Sequence, residues 1–244
     1  MMPTSAPVTG PALARRLSTR FMGVEVEVPH GVLVPREETE LLGYATFAVL
    51  RDRPRPASVV DLCCGAGNLA CAIAVAFPEA RVVACDLTDE AVAAAAANVA
   101  RLGLHERVAV RQGDLFAPLD ASLAGQVDLV VCNPPYISTA RLAAEKAHLL
   151  DTEPREAFDG GPYGLSLHQR IVAEAPAFLK PDGWLAMEFG EGQSRQVEIL
   201  FRRARAYAAP EFLHDERGVP RAVRARRQSQ VEVAPARRRD AEPS

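Results

Sequence analysis

The 244-residue chain has little of several things: two lysines, Lys146 and Lys180, one tryptophan, and an aromatic share of 6%. It lacks any apolar run near the ~18 residues that a membrane helix needs, which excludes such a span. Met1 to Gly10 has neither the charged start nor the long apolar stretch of a secretory signal, so a cytoplasmic protein is expected. The five cysteines, Cys63, Cys64, Cys71, Cys85 and Cys132, make no paired C-x-x-C framework. Structural zinc ordinarily needs two closely spaced ligand pairs, so they read as small buried side chains in a reducing compartment, and no metal is expected. What is present is a globular composition, 48% hydrophobic and 24% charged, of a length that suits one domain of roughly 100–200 residues with short additions.

Charge is unevenly spread. Arginine supplies 26 of the 28 basic residues, and from Arg195 onward 12 arginines face 7 acids, a local +5 that leaves −8 on the first 194 residues. Arg224, Arg226, Arg227 and Arg237 to Arg239 read as a basic end that is solvated or touches a polyanion such as RNA. The −8 on the remainder argues against a nucleic-acid substrate.

Four segments are expected. Residues 1–20, rich in Pro, Ser, Thr and Gly at their start, form a disordered or short N-terminal piece. Residues 21–56 carry a hairpin strand with the alternation Val24-Glu25-Val26-Glu27-Val28, then a helix opened by Glu37, Glu38 and Glu40, where the helix dipole favours acids. Residues 57–228 alternate apolar strands with helices. Val59 to Leu62, Arg81 to Cys85, Val108 to Val110, Val127 to Val131 and Trp184 to Glu188 read as strands; Asn68 to Ala76 and Asp89 to Arg101 read as helices. That alternation predicts a doubly wound α/β domain on a mainly parallel sheet, with ligands at the carboxyl ends of the strands. Residues 229–244 have no core pattern and read as a flexible tail. The histidines, His30, His105, His148, His168 and His214, sit in no motif and read as surface or loop positions.

The chemistry gathers at strand ends. Asp61-Leu62-Cys63-Cys64-Gly65-Ala66-Gly67 closes the first core strand, and its glycines let a ligand approach the backbone. The absence of a Gly-Lys-Ser/Thr sequence argues against a phosphate-cradling loop. Asp86, 25 residues after Asp61, ends the second strand where an acid can accept both hydroxyls of a ribose. These residues alone leave S-adenosylmethionine and a nicotinamide cofactor both open. Asn133-Pro134-Pro135-Tyr136, after the strand ending at Cys132, decides between them. Asn133 offers a carbonyl acceptor, the prolines stiffen the turn and leave their carbonyls without a competing N–H, and Tyr136 offers an aromatic face. Two acceptors can hold an –NH₂ group with its lone pair aimed at a methyl donor, and such alignment carries much of the rate.

At these residues the chain resembles the class I S-adenosylmethionine-dependent methyltransferases, within them the HemK/PrmC type that methylates the glutamine amide of peptide release factors. The likeness runs from about Phe21 to Arg227. Val34-Pro35-Arg36-Glu37-Glu38-Thr39-Glu40 matches the family's Ile-Pro-Arg-Pro-Glu-Thr-Glu, with Glu37 for a proline. Asp61 to Gly67 matches Asp-Leu-Gly-Thr-Gly-Ser-Gly, with Cys63 for the first glycine, a change that suits an ordinary φ. Glu153-Pro154-Arg155, Asp159-Gly160-Gly161 and Gly164-Leu165 match a further, more specific stretch. The resemblance implies a seven-stranded Rossmann-like sheet. It implies that Cys63, Cys64, Gly65, Ala66 and Gly67 hold the methionine end of S-adenosylmethionine, with Asp61 also a cofactor-binding residue. By the same resemblance Asp86 with Leu87 holds the ribose, Asp114 with Leu115 the adenine, and Asn133, Pro134, Pro135 and Tyr136 the amide nitrogen. Arg36 and Glu38 are expected to close the site, or Glu38 to cap a helix. The family's usual helical domain ahead of the Pro-Arg-x-Glu-Thr-Glu motif has no counterpart in the residues before Phe21. The expected partner is a protein with an exposed glutamine, a release factor among them. The alternatives are a small amide or amine, a nucleic-acid adenine, and a non-catalytic cofactor-binding role.

Overall fold

The computed structural model describes residues 17–144 and 154–229. His148, the tail from residue 230 onward and the first 16 residues lie outside the described residues. The chain opens with an antiparallel hairpin, β1 (Leu17–Phe21) and β2 (Val24–Val28), turned at Met22 and Gly23, which both take left-handed φ, 47° and 83°. Two left-handed turn residues match the twist of a tight hairpin. Only β2 alternates buried and open positions, whereas β1 buries Phe21 alone. The first strand therefore starts four residues ahead of the expected boundary. Helix α1 (Thr39–Arg51) follows, with Glu38 in its N-cap position but making no side-chain cap bond.

The central sheet joins β3 (Ser58–Leu62), β4 (Arg81–Asp86), β5 (Val108–Gln112), β6 (Val127–Cys132), β7 (Leu179–Glu188), β8 (Glu211–His214) and β9 (Pro220–Arg226) in the order β5-β4-β3-β6-β7-β9-β8. The first five strands in that order are parallel, and β9 runs antiparallel to both its neighbours. Helices α2 (Asn68–Ala76), α3 (Asp89–Arg101), a short α4 (Thr139–Ala144), α5 (Ser166–Phe178) and α6 (Ser194–Ala204) complete the fold. Alternate strand residues face opposite layers. Val59, Leu129, Val131 and Ala186 pack with α1, α2, α3 and the hairpin. Val60, Leu62, Val130, Cys132, Leu185 and Met187 pack with α5 and α6. Among the described residues no helix is long and apolar enough to cross a membrane.

Local chemistry explains the helices that shape the site. α3 is alanine-rich, opens with Asp89 and Glu90, closes with Arg101, and is capped by the Thr88 hydroxyl accepting from Ala91 N–H at 3.3 Å. On its buried face Asn98 spends most of its amide on backbone, its Oδ1 also meeting Arg101 Nη2 at 3.4 Å. Its Oδ1 accepts from Glu27 N–H at 2.9 Å, and its Nδ2 donates to Glu27 C=O at 2.8 Å and Ala66 C=O at 3.0 Å. One side chain thus ties the hairpin to the glycine loop after β3.

Two expectations are corrected here. Arg224, Arg226 and Arg227 are not a basic tail: the first two stand in β9 among the buried Ala222, Val223 and Ala225, and Arg227 forms a β-bridge to Tyr207. Arg224 pairs with Glu211 at 2.7 Å and lies over the Trp184 ring, and Arg226 pairs with Asp182 at 3.2 Å. Arg237 to Arg239 lie outside the described residues. His168 is not a surface residue. It is fully buried in α5, its Nε2 on the Glu188 carbonyl at 2.9 Å, and burial holds its pKa down at about 4, so the ring is neutral. His30, His105 and His214 are exposed as expected.

Candidate active site

Strand order reverses between β3 and β6, the sheet's switch point, and the two motif loops leave the carboxyl ends of these neighbouring strands. Three adjoining cavities open there. The first is a trough lined by Cys63, Gly65, Asp86, Leu87, Asp114, Leu115, Asn133 and Pro135, with Val32, Leu33, Glu156 and Leu167 on its outer walls. A small recess reaches from it to Asp61, Cys64 and Thr39. The third, a cleft of about 510 Å³, is lined by Arg36, Glu38, Asn133, Pro134, Tyr136, Glu188, Gln193 and Arg221. Asn133 and Leu33 line all three. Of the residues singled out from sequence, Ala66 and Gly67 stand off these walls. Ala66 is fully buried and Gly67 starts α2.

The trough is built to meet a polar, ribose-like group. Asp86 Oδ2 accepts from Gly65 N–H at 2.9 Å, while Oδ1 accepts from Leu87 N–H at 2.8 Å and, at longer range, from Thr88 N–H at 3.3 Å and Thr88 O–H at 3.4 Å; this fixes the carboxylate and leaves Oδ2 the less engaged oxygen for a ligand. Leu87, which is exposed, flanks it as an apolar wall. Asp114 stands on the rim with its carboxylate held by Arg170 Nη1 at 2.9 and 3.0 Å. Cys63 corrects an expectation, for its φ is +54° rather than ordinary, and Leu115 across the trough is left-handed too, at +49°. A non-glycine residue in that region is strained, and such strain collects where a site fixes the backbone. Burial pushes the Cys64, Cys71, Cys85 and Cys132 thiols upward, Cys71 and Cys85 to about 12, which leaves them poor nucleophiles.

The recess ends at Asp61, buried on β3. Its Oδ2 accepts from Ala70 N–H at 3.0 Å, while Oδ1 has no partner. Burial raises its pKa from 3.8 to about 8, with the nearby Asp86 adding to the rise. An unpaired buried acceptor is costly unless something completes it, and a ligand cation reaching the recess would do so.

On the cleft side, Asn133 Nδ2 donates to Thr39 Oγ1 at 3.1 Å, which leaves Oδ1 as the amide's acceptor for a ligand. Tyr136 O–H donates to Glu188 Oε1 at 3.3 Å, and its carbonyl accepts from Gln193 Nε2 at 2.9 Å. The loop from residue 158 to 164 braces this turn from behind. Ile137 N–H donates to Phe158 C=O at 2.9 Å and Gly160 N–H to Ile137 C=O at 2.8 Å. A Cβ on Gly160 would stand 2.7 Å from the Pro135 carbonyl, so only glycine lets the loop lie this close. The Asp159-Gly160-Gly161 stretch therefore stiffens the Asn133–Tyr136 turn.

Glu188 went unnoticed in the sequence, though a lone acid between Met187 and Phe189 in a buried strand was the available signal. It is 2% exposed, Oε2 lacks a hydrogen-bond partner, and burial lifts its pKa from 4.5 to about 7, against the opposing pull of Thr39, Arg221 and Tyr136. Val32, Leu33, Leu167 and Gln193 were also missed, each an ordinary residue whose place in a wall depends on the fold, and Thr39, though part of the motif, was given no role.

Comparison with known proteins identifies a family. Residues 44–161 match the family model described as Methyltransferase small domain. The chain is 37% identical over 210 residues to the release factor glutamine methyltransferase of Moorella thermoacetica, covering 86% of this chain and 72% of that protein. It is 40% identical over 183 residues to the release factor glutamine methyltransferase of Geobacter sulfurreducens, covering 75% of this chain and 62% of that protein. It is 41% identical over 172 residues to the ribosomal protein uL3 glutamine methyltransferase of Bordetella pertussis, covering 69% and 55%. In fold it is similar to the ribosomal protein L11 methylase of Lactobacillus delbrueckii subsp. bulgaricus, with TM-score 0.57, 19% identity and 82% of each chain covered. It is similar again to a methyltransferase from Pyrococcus furiosus, with TM-score 0.55, 14% identity, and 77% of this chain and 83% of that one covered. The strand order, the two loops at the switch point and the extent of these matches lead to one conclusion: the chain belongs to the methyltransferase family that includes these glutamine methyltransferases.

Proposed function

We propose that the protein transfers a methyl group from S-adenosylmethionine to the side-chain amide nitrogen of a glutamine in a protein of the translation apparatus, a release factor or ribosomal protein uL3. The observation that carries this reading is Asn133, which stands where trough, recess and cleft meet, with its N–H side committed to Thr39 and its carbonyl left to a ligand. The residues present fit the cofactor. The unpaired Oδ1 of Asp61 suits the ammonium of its methionine end, Asp86 suits its ribose hydroxyls, and Leu87 and Leu115 give apolar walls for adenine. S-adenosylmethionine supplies an electrophilic methyl group on a positively charged sulfur that leaves as a neutral thioether. An amide nitrogen is a weak nucleophile, so the protein's part would be alignment: the N–CH₃ bond would form as the S–CH₃ bond breaks, and the methylated nitrogen would then lose one of its protons to solvent. Asn133 Oδ1 and the Pro134 carbonyl would accept the two amide N–H bonds, fixing the plane in which the nitrogen faces the trough.

Incubation with labelled S-adenosylmethionine and purified release factor or uL3, followed by peptide mass spectrometry, tests the reading. Label on a glutamine of either protein is expected. Label confined to small molecules or RNA, or none on protein, overturns it. Asp86→Ala should weaken S-adenosylmethionine binding by about ten- to a hundredfold in calorimetric titration, through loss of charge-assisted bonds.

A further inference from the structure

Three side chains from three distant parts of the chain meet behind the acceptor cleft. Asn133 follows β6, Thr39 opens α1, and Glu188 ends β7. Thr39 is buried, receives the Asn133 Nδ2–H at 3.1 Å, and is near enough to Glu188 for its hydroxyl to hold that acid's pKa down. Glu188 is nine-tenths or more buried, holds the Tyr136 hydroxyl on Oε1 at 3.3 Å, and has no hydrogen-bond partner for Oε2. An apolar side chain would continue the buried run from Leu185 to Phe189 without an orphaned oxygen. A buried, incompletely satisfied acid beside a reactive amide calls for a reason.

Hydrogen-bond polarity supplies one. A primary amide flipped about its last bond presents N–H groups where it had presented oxygen, and the two orientations differ little in shape. If Asn133 presented N–H to a substrate –NH₂ group, donor would face donor. An ionised carboxylate only accepts, so a hydroxyl beside it donates to it. That hydroxyl's oxygen then has lone pairs alone to offer a second neighbour. We propose that Glu188 and Thr39 are positioning residues: the Glu188 carboxylate accepts the Thr39 O–H, the Thr39 oxygen can then only accept from Asn133 Nδ2, and Asn133 Oδ1 is locked toward the acceptor nitrogen. The same carboxylate fixes the Tyr136 hydroxyl, so both side chains of the turn are set by one acid. The inference rests on the amide-methylation reading and gives Thr39 of the Pro-Arg-x-Glu-Thr-Glu motif a function.

The groups facing Glu188 are Thr39 and Glu38 at the start of α1, Tyr136 after β6, and Arg221 on β9. Once protonated, Glu188 can donate to Thr39 and the polarity is no longer dictated. Turnover at saturating cofactor and acceptor should therefore fall as pH drops through about 7, the value to which burial raises this acid.

The test uses the full chain with the release factor or uL3 as acceptor. Thr39→Val keeps the shape and removes the hydroxyl; kcat should drop by about tenfold or more, with S-adenosylmethionine affinity within about threefold of wild type. Thr39→Ser restores the hydroxyl and should recover kcat to within about threefold. Glu188→Gln cannot titrate and should lose the acid limb of the kcat profile. Equal kcat in Thr39→Val, or an unchanged limb in Glu188→Gln, overturns the proposal. A wild-type protein that methylates neither acceptor would instead defeat the functional reading. The proposal then stands or falls on proton–nitrogen NMR of the acceptor-free protein, where the Asn133 side-chain NH₂ signals should shift in Thr39→Val and return in Thr39→Ser. Signals that do not respond to Thr39 also overturn it.

Discussion

Two aspartates on neighbouring strands, Asp61 on β3 and Asp128 on β6, are each 1% exposed and differ in almost everything else. Asp128, near the amino end of the sheet, is paired with Lys180 Nζ at 2.8 Å and accepts from Ser58 N–H at 2.9 Å. Asp61, at the carboxyl end, has one backbone donor, an orphaned oxygen, and a pKa lifted to about 8. The same side chain at the same burial is thus a completed joint at one end of the sheet and an open valence at the other. Glu188, with its own orphaned oxygen, and the left-handed Cys63 and Leu115 also lie at the carboxyl end, beside the candidate ligand site.

If that contrast is right, the largest effects of substitution at the carboxyl end fall on chemistry. Asn133→Ala should lower kcat by at least ~100-fold while cofactor affinity stays within about tenfold, because it removes an acceptor that orients the nucleophile. Proportional loss of both would make Asn133 a folding residue and erase the contrast. At the amino end the effect should fall on stability. Asp128→Ala strands Ser58 N–H and the partly exposed Lys180, and should cost about 1–3 kcal/mol in denaturant unfolding. Asp61→Asn at pH 7 should instead raise stability, since the native acid must take up a proton to fold at that pH and the amide need not. Equal losses in the two variants would break the comparison.

The titration of Asp61 sharpens it. From about pH 4 to 8 the unfolded chain has this acid ionised while the folded chain keeps it protonated, so folding takes up a proton. Stability of the ligand-free protein should therefore fall as pH rises across that window, with Glu188 contributing up to about 7. Thermal unfolding of wild type and Asp61→Asn at pH 5 and pH 8 measures this. The variant should show the smaller drop, and a wild-type curve with no drop would contradict the buried proton. The smallest effect belongs to Cys63→Gly. Releasing a left-handed side chain is worth roughly 1–2 kcal/mol, part of which the freer unfolded chain takes back, so a gain below about 1 kcal/mol is expected.

Much of this was legible in the sequence, and for identifiable reasons. The limits of α2 and α3 stand where the apolar period, the Thr88 cap and the flanking charges set them. Asp86, Asn133 and the glycine loop fall at strand ends that alternation alone locates. β9 was misread because its surface positions are arginines, whose charge hid the alternating Ala222, Val223 and Ala225. β1 was missed because Leu17 to Phe21 buries one side chain in five. Glu188, Thr39 and His168 escaped because their roles arise from contacts across 20 to 94 residues of chain, which no local pattern encodes.

The place of β9 between β7 and β8 has a consequence for how the molecule is made. Synthesis runs from the amino end, so β7 emerges with one flank paired to β6 and the other bare, and it stays bare until residue 226 has left the ribosome. For those seconds the nascent chain carries a ten-residue strand holding Leu185, Ala186 and Met187 with an open edge, the arrangement most apt to join a neighbouring chain. β8, made earlier, cannot cover it, because it pairs only with β9. The arginines of β9 thus belong to the last stitch of the sheet, and a ribosome that stops short of it releases a sticky intermediate rather than a smaller enzyme.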